Sequence, residues 1–163
     1  DVYKRQERGL RAGTENVAGI AGFGAAAIAA LRQGAAEAAH MLALRSMLEA
    51  GLQAIAPGAV IFGADVERLP NTTLFAASGM AAETAVIAFD LDGIAVSSGA
   101  ACSSGKVQPS HVLAAMGVSP ALTQGAVRVS LGWATTAADI EKFFAAWRKL
   151  ATALSKGKRG IAA

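Results

Sequence analysis

Apolar residues along this chain follow two rhythms, and the points where one gives way to the other outline its elements. The run "VAGIAGFGAAAIAAL" from Val17 to Leu31 is apolar on every side. That predicts a helix buried all round, entered through a Gly13-Thr14 turn whose hydroxyl supplies a cap. Met41, Leu44, Leu48, Leu52 and Ile55 then recur at helical spacing until Pro57-Gly58, a second predicted helix. Beyond it the rhythm shortens: Val60 to Phe62 and "NTTLFA" from Asn71 read as strands, and "MAAETAVIAFDLDG" as a helix closed by Gly93. "IAVSS" from Ile94 is the next strand, and a short helix opens at Pro109-Ser110 and ends at Gly117.

The clearest alternation is "AVRVSL", where Val127, Val129 and Leu131 point one way and Arg128 and Ser130 the other. The last helix starts at Thr136, with Asp139 as its capping partner and Ile140, Phe143, Phe144, Trp147, Leu150 and Leu154 on one face. After Ser155 the chain turns basic, which predicts a loose tail. Strands interspersed with helices over one core give an α/β layer arrangement, without internal repeats.

Composition narrows the function classes. At 163 residues the chain holds one domain, or one domain and part of another. With 53% hydrophobic and 17% charged residues it is too apolar for a disordered protein. Its most apolar stretch, bounded by Asn16 and Arg32, falls short of the roughly 18 to 20 residues that cross a bilayer, so no membrane association is expected. A net charge of +3 collects at the ends, and aromatics make up 6% without basic residues interleaved, which argues against nucleic acid. The start lacks a basic head running into an apolar core, so no signal peptide is read and a cytoplasmic location is expected.

One cysteine stands in the whole chain, Cys102, inside "VSSGAACSSG". It cannot close an internal disulfide. Two readings stay open from the residues: a nucleophile made thiolate-like by Lys106, His111 or the helix near Ser110, or a small buried hydrophobe, as many free cysteines are. Arg128, held on a strand, can fork onto a carboxylate, or it is a solvated strand arginine. In "ERGLRAGTEN", Arg8, Arg11 and Thr14 at a helix start favour an anion such as phosphate, although the segment matches neither the phosphate-loop nor the dinucleotide fingerprint. His40 and His111 each stand alone, without metal-ligand spacing, and no resident metal is assigned.

The order "ERGLRAGTEN … LPNTT … VSSGAACSSG … PSHVL … AVRVSLG" resembles the cysteine desulfurases, pyridoxal-phosphate enzymes of the aminotransferase class V group that feed iron-sulfur cluster assembly. The resemblance covers Gln6 through about Trp147 and implies the C-terminal small domain of a fold type I transferase, α/β in class. Together with the residue pattern it divides the chain into residues 1–5 as an expected non-native leader, 6–32 as the segment joining the cofactor domain, 33–155 as the small domain and 156–163 as a basic flexible tail. Carried over residue by residue, Cys102 becomes the nucleophile that takes sulfur from L-cysteine and leaves L-alanine. Arg128 becomes the clamp on the substrate carboxylate, and Thr14 the group that reaches the cofactor phosphate of a partner subunit in a homodimer. A sulfur acceptor or iron-sulfur scaffold protein is the implied partner, with Cys102 available as a transient cluster ligand. The family's Schiff-base lysine lies ahead of the matched residues, and Lys4 is not that lysine. The chain by itself is therefore expected to be inactive. A different class of reading makes it a stand-alone persulfide relay or scaffold-binding module without cofactor chemistry.

Overall fold

The computed structural model describes residues 15–99 and 110–161, the last six of these in backbone only. It divides into two compact units, Asp1–Glu37 and Ala38–Ala163.

A single helix, α1 (Val17–Ile55), runs through 39 residues where two were expected. The reason is local: between Leu31 and Met41 the chain offers Gly34 as its only weak helix former, at a cost of about 1 kcal/mol, against a run of alanines with the highest helix propensity. The start is capped by Asn16, whose Oδ1 accepts the Gly19 N–H at 3.0 Å. Thr14, the expected cap, lies outside the described residues. Burial also differs from expectation. The buried residues of α1 are Leu44, Leu48 and Leu52, all in the second unit, while Val17, Ile20, Phe23, Ile28 and Leu31 of the first are exposed. By length and composition α1 would suffice to cross a membrane, a test that buried core helices of soluble proteins and signal sequences also pass, and its qualifying window is exposed.

The second unit carries β1 (Val60–Ile61), β2 (Thr72–Ala76), α2 (Ala82–Leu91), β3 (Ser97–Ser98), α3 (His111–Ala115), α4 (Pro120–Gln124), β4 (Val127–Ser130) and α5 (Ala137–Ile161). Its four strands form one sheet in the order β1-β2-β4-β3, every neighbouring pair antiparallel. β2 and β3 therefore run parallel to each other with β4 between them, the α2 crossover joining them. Gly93 and Gly117 end their helices with φ of 74° and 76°, in the left-handed region that glycine enters at no steric cost. α4 went unforeseen; its first residue is Pro120, whose fixed φ suits a first helical turn.

The second half of α1, together with α2 and α5, supplies the core on one face of the sheet. Its centre is aromatic: Phe75 of β2 meets Trp147 edge-on at 5.2 Å between ring centroids and Phe143 at 6.3 Å, and Phe89 stacks on Phe143 at 4.9 Å. The Trp147 indole N–H donates to the Leu52 carbonyl at 3.2 Å, so the one polar atom of that ring is satisfied in the interior. α5 begins in the expected reciprocal cap: the Thr136 N–H and hydroxyl reach Asp139 Oδ2 at 2.9 and 2.7 Å, while the Asp139 N–H returns to Thr136 Oγ1 at 3.4 Å. It also runs further than expected, helical in backbone to Ile161 through the stretch read as a flexible tail.

Candidate functional site

β4 realises the alternation its sequence predicts. Val127 and Val129 are buried, and Arg128 and Ser130 are exposed on the opposite face. Pairing then decides what surrounds Arg128. Leu74 of β2 lies directly across on one side and Ser97 of β3 directly across on the other, while Thr72 faces Ser130 one step along. Facing residues in an antiparallel pair share a side of the sheet. The face opposite the aromatic core thus presents one guanidinium between a half-buried leucine and an exposed serine. No described carboxylate pairs with Arg128, which leaves its fork open to an incoming one.

The stretch carrying Cys102 leaves the sheet beside this row. Past β3, the Gly99 N–H donates to the Ala126 carbonyl at 2.6 Å, prolonging the pairing with the strand that holds Arg128. A Cβ on Gly99 would stand 2.6 Å from that of Ala126, so glycine is required by this close approach. On the far side of the stretch, the buried Ser110 accepts the Leu113 N–H at 3.3 Å and caps α3, with Leu113 buried beneath. Cys102 and Lys106 themselves lie outside the described residues, as does Thr14. Of the three expected site residues the described structure thus places Arg128 alone. His111, read as a possible cation for the thiol, is exposed at the start of α3. His40, exposed on α1, meets the Thr135 carbonyl through Nε2 at 3.0 Å and links α1 to the turn before α5.

A second polar cluster was not foreseen. The Arg68 guanidinium forks onto Glu49 at 2.9 and 3.1 Å, and the buried Thr73 hydroxyl donates to the same carboxylate at 2.8 Å. Arg45, one turn before Glu49 on α1, adds a contact at 3.8 Å and donates to the Leu69 carbonyl. Burial would raise the Glu49 pKa, but the Arg68 and Thr73 hydrogen bonds and the two guanidinium charges outweigh it and hold the group below its ordinary value. The only advance signal was the i, i+4 pair Arg45 and Glu49 beside the apolar positions Leu44, Leu48 and Leu52 of α1. The cluster ties β2 and the loop before it to α1, on the side of the sheet away from Arg128, and is structural.

A half-open groove of about 670 Å³ runs between the end of α1 (Ala54 to Gly58), Ala77, Ser78 and α5 from Trp147 to Ser155. Arg128 does not line it. Among the described residues no cluster of three or more His, Cys, Asp or Glu is arranged to hold a metal ion. The described lysine side chains, Lys142 and Lys149, stand on α5 across the sheet from Arg128, so none is placed to hold an aldehyde cofactor beside it.

Comparison with known proteins gives this geometry a context. Residues 1–143 match the family described as "Aminotransferase class-V", a span that takes in the whole of α1. A cysteine desulfurase of Cereibacter sphaeroides is 49% identical over 138 residues, 85% of this chain and 35% of that protein. The cysteine desulfurase NifS of Azotobacter vinelandii is 44% identical over 84% of this chain and 34% of its own length. Among solved structures, a NifS-like protein from Rickettsia africae superposes with a TM-score of 0.77 at 38% identity, covering 88% of this chain and 37% of that one. The chain thus spans about a third of the length of the relatives it matches.

Proposed function

The chain belongs to the aminotransferase class-V family, and from that premise we propose that it is the C-terminal part of a cysteine desulfurase. The reaction balances without an outside oxidant: L-cysteine and the Cys102 thiol give L-alanine and a Cys102 persulfide, the substrate's C–S bond breaking as an S–S bond forms. Pyridoxal phosphate, held by the rest of the longer protein, supplies the electron sink. This chain's own residues bind and accept. Arg128 orients the substrate through its carboxylate, and Cys102, three residues beyond Gly99 in sequence, receives the sulfur.

The observation that carries this reading is the guanidinium of Arg128, unpaired among the described residues, on the face opposite the core, one strand from Gly99, which precedes Cys102 by three residues in sequence. A carboxylate there meets a planar, permanently charged fork on a rigid strand. The parent is further proposed to be a cytoplasmic homodimer in which Thr14 serves the partner's cofactor phosphate. It hands sulfur to an acceptor or iron-sulfur scaffold protein, Cys102 serving as transient cluster ligand where a scaffold requires it.

Alanine release by the full-length holoenzyme tests the assignment. Cys102→Ser should abolish persulfide formation and alanine release while L-cysteine still binds. Arg128→Ala should weaken L-cysteine by about 2 to 5 kcal/mol. Wild-type turnover by Cys102→Ser, or an unchanged KM in Arg128→Ala, would refute it. The chain alone, supplied with pyridoxal phosphate, should release no alanine.

A further inference from the structure

Arg128 has two neighbours directly across the sheet, and they are chemically unlike. On β2 stands Leu74, half-buried and without a donor; on β3 stands Ser97, exposed, with a hydroxyl that has no hydrogen-bond partner among the described residues. A carboxylate has roughly four acceptor sites, and a guanidinium fork uses two of them. The remainder must be met by water or by a second donor. Leu74, on the β2 side, has no donor to offer. On the Ser97 side a hydroxyl stands on a facing residue, with Cβ atoms about 4.5–5.5 Å apart in such pairs, close enough for one carboxylate to touch both side chains.

We propose that Ser97 is a second carboxylate-binding residue, donating its hydroxyl to the substrate oxygen that the Arg128 fork leaves underused. The leucine on one side and the serine on the other give the site a direction. The carboxylate settles toward β3, the strand whose continuation through Gly99 leads to Cys102, and away from β2. Ser130 serves as an internal contrast. It shares the exposed face, but it lies two residues along β4 and faces Thr72, whose hydroxyl is already engaged with Asn71 Oδ1 at 3.2 Å.

This assignment rests on the reading of Arg128 as the carboxylate clamp, and the test separates the two. In the full-length holoenzyme, Ser97→Ala should raise the KM for L-cysteine about tenfold with kcat unchanged, the scale of one hydrogen bond to a charged group. Ser97→Thr, which keeps the hydroxyl, should return KM to within about twofold of wild type, and Ser130→Ala should not move it. Inhibition by cysteamine, which has the thiol and amine of cysteine but no carboxylate, should be the same in wild type and Ser97→Ala. A generally disturbed site would weaken both ligands. If Arg128→Ala raises KM and Ser97→Ala does not, or if cysteamine inhibition weakens in step with cysteine binding, the role of Ser97 is overturned while the clamp stands. If Arg128→Ala leaves KM unchanged, both fall.

Discussion

The two faces of the sheet are made from alternate residues of the same short strands, yet they hold different kinds of chemistry. On the helix-covered face, Phe75 packs edge-on against Phe143 and Trp147 of α5, Val127 and Val129 join the same core, and the buried Thr73 hydroxyl is tied to a carboxylate. On the other, Thr72, Leu74, Ser97, Arg128 and Ser130 stand half-buried or exposed. Stability is concentrated where side chains leave water, whereas recognition needs groups with unused hydrogen-bonding capacity. A strand with a period of two lets one segment serve both, and the packed face holds rigid the strand from which Arg128, the proposed clamp, projects.

The contrast can be broken most forcefully from the covered face. Phe75→Ala removes a fully buried ring that touches both Phe143 and Trp147, and should cost about 3–5 kcal/mol in denaturant unfolding. A loss below about 1 kcal/mol would show that the aromatic cluster is not the centre of the core.

A middling effect is expected at Glu49. Glu49→Ala strips charged hydrogen bonds from Arg68 and Thr73 and should cost about 2 kcal/mol near neutral pH. Because the folded pKa of Glu49 is depressed, its contribution is complete above the unfolded value near 4.5 and is lost as pH falls through the lower folded pKa. Wild-type stability should therefore decline below about pH 4.5 more steeply than that of Glu49→Gln. Parallel acid limbs in the two proteins would contradict the network's role.

The smallest effect belongs to the open face. Arg128→Ala should change unfolding free energy by no more than about 0.5 kcal/mol, as exposed positions usually do, while changing substrate binding greatly. A large stability loss there would erase the distinction between the faces.

Much of the local structure was legible before any coordinates. The β4 alternation announced which way Arg128 points, Gly93 and Gly117 marked helix ends, and Thr136 with Asp139 marked the start of α5, because each depends on residues a few positions apart. The chemistry at Cys102 and Thr14 came through resemblance to a family, and both residues lie outside the described structure.

Three things were illegible for a common reason. The strand order β1-β2-β4-β3, the Glu49 cluster joining residues 19 and 24 positions apart, and the seating of Ser97 against Arg128 all arise between segments distant along the chain. The continuity of α1 escapes the apolar pattern for a different reason: the all-round run to Leu31 and the one-faced run from Met41 differ in rhythm, yet one backbone helix carries both, the cost of Gly34 being small beside what the surrounding helix contributes. Local sequence determined the period of each segment, its caps and the identity of the groups that can bind or react. Tertiary structure decided which of them became neighbours, since pairing and burial are settled by the packing of the whole core rather than by any one stretch.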